Sequence, residues 1–295
     1  MAVVLERAAA VTTAAPPHRR RRTSPTATVL LLLGAAYCLL PVVWVVVAST
    51  KNASELFNTF TFLPSTHLFD NIASLSAYRD GLYWRWMVNS AIFAGGGAAA
   101  STLVSAMAGF ALAKYDFRGK ALVFNIVLAG VLVPAVILAI PQYLLLAKAG
   151  MTNTYWSVLL PSFISPYGIY LCRIFAAATV PDEVLEAARM DGANDWRSFS
   201  RVALPMMRAG LVTVFLFQFV AIWNNYMLPF IMLGDDKLFP VTVGLSGLLN
   251  QGATQPAMYT SVVTGALLSI IPLVVLFLTL QRYWRVDLGA GAVKM

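Results

Sequence analysis

Six stretches of the chain stay apolar for about the length a helix needs to cross a bilayer. They run over residues 28–48, 88–112, 121–143, 154–175, 209–232 and 259–281. None holds an Asp, Glu, Lys or Arg well inside it, and Arg173 stands at the end of the fourth. The pattern predicts an all-α polytopic membrane protein with six transmembrane helices. Prolines interrupt several of them: Pro134 and Pro141 in the third, Pro161 and Pro166 in the fourth, Pro229 in the fifth, and Pro272 in the sixth. A helix broken at membrane depth survives only where protein or a watery cavity covers the freed backbone groups. The prolines therefore favour a transport path over a simple anchor. The second stretch carries Gly95, Gly96, Gly97, Ala98, Ala99, Ala100 and Ser101, a run that lets helices approach closely.

Composition agrees. Of 295 residues, 59% are hydrophobic and 12% charged, about half the charge of a soluble domain. The net charge of +8 is not a nucleic-acid footprint, because its distribution is that of a membrane protein. Arg19 to Arg22 precede the first span directly. With the N-terminus inside, sixteen of the 21 Lys and Arg residues fall on inside segments, which places both termini in the cytoplasm. Residues 1–27 read as a disordered cytoplasmic tail, 28–281 as the six-span domain and 282–295 as a cytoplasmic C-terminal tail. The first span is long enough to cross and no small-x-small site follows it, which argues against a cleaved signal peptide. Cys38 and Cys172 lie in apolar runs and are expected as buried small hydrophobes, and His18 and His67 have no ligand cluster, so a metal site has no support. Without an intramembrane acid or base, an ion-coupled carrier is disfavoured. The chain has no G-x-x-x-x-G-K-[ST] loop and does not bind ATP in that way.

One inside segment stands out. Residues 183–205, EVLEAARMDGANDWRSFSRVALP, mix two Glu, two Asp and three Arg between apolar spans. Pro181, Asp182 and Glu183 form a helix start. Ala188 and Gly192, four apart, leave a face with little side chain, Glu186 lies at its edge, and Gly192 is placed to end the helix. A second helix is expected around Asp195 to Arg201, with Leu204 and Pro205 turning the chain back. Periodicity leaves two readings open: a helix lying on the membrane, or one docked on a partner protein.

The spacing of Glu186-Ala187-Ala188, then Gly192, then nine residues to Val202-x-Leu204-Pro205 resembles the EAA loop of bacterial ABC importer permeases, with Val202 in place of Ile. YDFRG at 115–119, IPQY at 140–143, TNTYWSVLLP at 152–161, Asn89-Ser90, and Trp223, Asn224 and Pro229 within FVAIWNNYMLPFIML resemble the carbohydrate-type members. The similarity covers roughly residues 28–295 and looks closest to the second permease of maltose-type importers. It implies the type I importer permease fold in the bacterial inner membrane, a transport subunit and not an enzyme. The implied partners are a second permease, two ATP-binding subunits and an extracytoplasmic solute-binding protein. No cofactor is implied for this chain; ATP and Mg belong to the partner ATPase. The loop 176–208 would couple to that ATPase through Glu186, Ala187, Ala188, Asp191 and Gly192, with Leu204 and Pro205 setting the exit. The loop 233–258 would reach the binding protein or, read by itself, serve as a flexible connector, and residues 287–295 resemble family tails that contact the ATPase. The solute path would involve Asn89, Asn125, Trp223, Asn224, Asn225 and Tyr226. Amides and aromatic faces suit sugars, and the same groups also serve as interhelical contacts. A permease for an amino acid, phosphate or peptide is the alternative, ahead of an ion-coupled carrier or a non-transport scaffold.

Overall fold

The computed structural model describes residues 25–291, with side chains to residue 283. The tail expected at 1–27 lies outside the described residues except for its last three. Of the C-terminal tail, the helical backbone is described to Gly291, and the side chains from residue 284 are not. Among the described residues there is no strand.

The chain divides between Val43 and Trp44 into two units. The first contains most of α1 (Pro25–Ser49), an apolar helix whose residues 25–43 are all exposed.

The second unit is built around α4 (Leu82–Lys114), a 33-residue helix about 50 Å long. Short helices α2 (Ala53–Asn58) and α3 (Leu68–Ala77) precede it. After it come α5 (Lys120–Leu132) and α6 (Ala135–Lys148), bent by 106° at Val133-Pro134. The proline lacks an N–H and biases the residue before it away from helix, so the stretch expected as one span turns a corner. α7 (Tyr155–Ser162) and α8 (Pro166–Thr179) together form the fourth span, with Pro166 opening α8. α9 (Asp182–Met190), α10 (Asp195–Arg197), a π-turn (Ser198–Ala203) and α11 (Leu204–Met206) make the charged loop. An 81° bend leads from it into α12 (Arg208–Trp223). The fifth span then unwinds at Asn224 and Asn225 before α13 (Met227–Met232). α14 (Val241–Gly252) and α15 (Ala257–Gly291) follow. Among the described residues, four stretches are long and apolar enough to cross a membrane, and the two bent pairs raise the number to as many as six.

α4 packs against α8 and α12. Glycine permits this: a Cβ on Gly109 would stand 2.6 Å from the backbone N of Arg173 and from Cys172 Cβ. Cys172 is buried there and Cys38 is exposed on α1, so the reading of both as buried holds for one. The loop 233–258 is not a flexible connector over its length, since Val241–Gly252 is helix and buries Val241, Val243 and Leu248.

Candidate functional site

The charged loop is held at one end of α4. Pro181 precedes α9, whose acids Asp182 and Glu183 occupy the first turn and Arg189 the last, each favourable to the helix dipole. Leu185 is the buried anchor of α9, while Glu186 and Ala187 are exposed and Ala188 half-buried. Gly192 takes a positive φ of 80°. Its N–H donates to Arg189 O at 3.0 Å and the Ala193 N–H to Ala188 O at 2.9 Å, the paired bonds of a glycine-terminated helix. Gly192 therefore ends the helix and does not extend a face shared with Ala188. Asn194 opens the next turn, its side chain accepting from the Arg197 N–H at 2.9 Å. The π-turn lies directly before Pro205, where a normal α turn would clash with the proline ring.

Four contacts fix this loop to the end of α4. Lys114 Nζ donates to Asp182 Oδ1 at 2.8 Å. Tyr115 Oη donates to Asp195 Oδ1 at 3.1 Å, and the Arg189 guanidinium lies 5.8 Å from the Tyr115 ring centroid. Phe199, buried on the loop, packs on Phe110 at 5.4 Å between centroids. Burial and the Asp195 carboxylate hold the Tyr115 phenol above its ordinary pKa, so it stays a donor. Lys114 and Tyr115 were not among the expected coupling residues. The only sequence signal was that YDFRG stands at the end of a span.

The loop's outer surface exposes Met190, Trp196 and Val184 beside the small side chains. Ala188 and Asp191 line a depression of about 270 Å3 with Ala193, Arg197, Arg201 and Val202. Leu204 and Pro205 line an apolar groove with Leu211, Val212, Phe215 and Arg208 at the bend.

A larger cavity, about 610 Å3, opens where three breaks meet: Pro134, the α7–α8 junction and Asn224–Tyr226. No described lining residue carries a charge. Asn224, Asn225 and Tyr226 line it. Asn224 Nδ2 donates to Val220 O at 2.8 Å, and Asn225 Oδ1 accepts from the Leu228 N–H at 3.3 Å. Tyr226 stacks on Phe230 at 5.1 Å and its hydroxyl meets Ser246 Oγ at 3.4 Å. The other three expected path residues lie elsewhere. Trp223 is buried and stacked on Phe219, 5.6 Å between centroids. Asn125 is exposed on α5 and does not line the cavity. Asn89 is buried at the far end of α4, accepts from Tyr155 Oη at 2.7 Å, and donates to Lys237 O and Phe239 O, both at 2.9 Å. It clamps the loop before α14, together with Trp86 to Asp236 O, Arg85 to Lys237 O and an Arg79–Asp236 ion pair.

Sequence reasoning missed Gln218, Gln142, Ser162 and Ser165, which also line the cavity. Gln218 Nε2 donates to Ser165 Oγ at 2.6 Å, and that oxygen accepts the Gly168 N–H at 3.0 Å. The available signal was a lone amide inside an apolar run, since a polar group at membrane depth is costly without a purpose.

Residues 101–285 match the family described as binding-protein-dependent transport system inner membrane component. An arabinooligosaccharide transport system permease protein of Halalkalibacterium halodurans is 33% identical, over 88% of this chain and 92% of its own. A lactose transport system permease protein of Rhizobium radiobacter is 32% identical over 87% and 91%. An sn-glycerol-3-phosphate transport system permease protein of Salmonella typhi is 32% identical over 84% and 90%. The crystal structure of a bacterial ABC transporter that imports the acidic polysaccharide alginate shares the fold, with a TM-score of 0.75 and 23% identity over 88% of this chain and 95% of that one. With more than half of the chain inside the matched region and a relative aligned over nearly nine tenths of it, the protein belongs to the family of binding-protein-dependent transport system inner membrane components, as a membrane permease subunit and not an enzyme.

Proposed function

We propose that this chain is one of two permeases in an ATP-driven, binding-protein-dependent importer of an uncharged carbohydrate. Its 182–206 loop is the docking element for the ATP-binding subunit. The observation that carries this reading is the loop itself: a glycine-terminated helix exposing Glu186, Ala187 and Met190 while its inner side is fixed to α4 through Lys114 and Tyr115. A helix merely resting on a membrane would turn its apolar face to lipid, whereas the apolar anchors Leu185 and Phe199 here are buried in protein.

ATP binding in the partner closes the ATPase pair, and the loop moves with the groove that holds it. Because the loop is fixed to the end of α4, movement passes to α4 and α8 and opens the cavity to the opposite face. The solute then arrives from the binding protein, and hydrolysis resets the cycle. ATP and Mg are held by the partner. Both termini face the cytoplasm, following the Lys and Arg distribution. Amides, hydroxyls and Tyr226 around an uncharged cavity suit sugar hydroxyls and ring faces. The relatives named for arabinooligosaccharides and lactose support a sugar solute, and the preference for an uncharged one rests on the uncharged lining of the cavity.

The test replaces Glu186 with Lys and Gly192 with Val in the assembled complex. At a φ of 80° a β-branched side chain costs roughly 1–2 kcal/mol, and the reversed charge opposes a cation on the partner. The ATP-binding subunit is expected to be lost on purification and sugar uptake to fall at least about tenfold. Unchanged co-purification and uptake in the double variant would remove the loop from the docking surface.

A further inference from the structure

On the membrane face that carries the 182–206 loop, a cleft of about 440 Å3 opens between the end of α4, the start of α5 and α8. Its walls are apolar: Leu112, Phe117, Ala121 and Phe124. Its charged groups are Asp116, Lys120 and Arg173. Asp116 is paired with Lys120 at 3.0 Å. Arg173, half-buried, has no ion-pair partner among the described residues. Its guanidinium lies 4.1 Å from the Phe124 ring centroid. Such stacking fixes the group in place and leaves its in-plane N–H donors for a planar or tetrahedral oxyanion.

Depth narrows the ligand. Arg173 stands at the end of the fourth apolar stretch, where a span passes from acyl chains to headgroups. An unpaired cation there is costly unless an anion meets it, and basic pockets between transmembrane helices recognise anionic headgroups. The exposed Phe117 offers an apolar wall that a free inorganic anion has no use for.

We propose that this cleft binds an anionic glycerophospholipid, its phosphate on Arg173, the cation left without an ion-pair partner beside the Asp116–Lys120 pair, and its glycerol and first methylenes against Phe117 and Phe124. The site depends on the chain's place in a bilayer and not on the solute it carries, so it stands apart from the transport reading.

The assembled complex in nanodiscs provides the test. Native mass spectrometry after detergent extraction is expected to find phosphatidylglycerol retained in preference to phosphatidylcholine. Arg173→Gln is expected to lower that retention about five-fold, the weight of one basic residue at a membrane surface. Lys148→Gln, an exposed cation at the end of α6, is expected to leave it unchanged. Should the Arg173 variant fail to assemble, the wild type decides: nanodiscs containing phosphatidylglycerol should raise its melting temperature over phosphatidylcholine alone, with excess inorganic phosphate unable to substitute. Equal retention in Arg173→Gln and wild type, or equal melting in the two lipids, overturns the proposal. Substitution by inorganic phosphate also overturns it, in favour of a soluble-anion site.

Discussion

Gln218 is a single amide in the middle of α12, nine-tenths buried, bonded to Ser165 across the α8 junction and open to the cavity. Its position explains why an apolar helix tolerates it: Ser165 takes one N–H, and the residue lines the cavity proposed above as the solute path. Gln218→Leu keeps the volume and removes the polarity. In vesicles with saturating binding protein, uptake is expected to fall roughly two- to ten-fold, the worth of one hydrogen bond, with assembly intact. Normal uptake by a folded Gln218→Leu complex would take the residue off the path. Asn89, equally polar and equally suggestive in sequence, spends its bonds on the backbone of the loop at Lys237 and Phe239. An amide's residue type does not reveal whether its partner is backbone or solute; three-dimensional neighbours do.

Among the elements, α4 connects the two faces. One end is bonded to the loop before α14 through Arg85, Trp86 and Asn89, and the other to the charged loop through Lys114 and Tyr115. A 33-residue helix about 50 Å long is stiff enough to carry displacement between them. Under the proposed mechanism, the bond at Tyr115 carries part of that coupling. Tyr115→Phe combined with Lys114→Gln removes both polar links and leaves Phe110 and Phe199 packed. Each lost bond is worth about 1 kcal/mol, too little to unfold the bundle. The expected result is more ATP hydrolysed per sugar carried, with near-normal subunit association. A double variant whose ATPase-to-uptake ratio matches wild type would show that α4 is not driven through these side chains. The helices themselves were legible from their apolar lengths. The 106° bend after α5 was marked by Pro134, but its angle depends on what packs around it.

For the whole molecule, the Lys and Arg distribution makes a directional prediction. The charged loop and the α14–α15 turn should be reached from opposite sides of the membrane. Cysteines placed at Trp196 and Gln251, both exposed, in a Cys38→Ser background, test it. Intact cells treated with an impermeant maleimide should label position 251 and spare 196, with inverted vesicles giving the reverse. Labelling of 196 in intact cells would invert the topology.

The sequence by itself determined what depends on local composition and spacing: six apolar segments, their order, the glycine stop at 192 and the charged loop between the fourth and fifth spans. Those features rest on hydrocarbon length, backbone conformation and the charge rule, all readable within a short window. Only the tertiary structure decided which polar residues share a cavity and which tie loops down. It brought Gln218 and Asn225 of the fifth span to Ser165 at the α7–α8 junction, sent Asn89 and Trp223 into the core, and brought Tyr115 to Asp195. Membership in a site depends on long-range packing, and an apolar span has the same sequence signature whichever neighbour each of its faces meets.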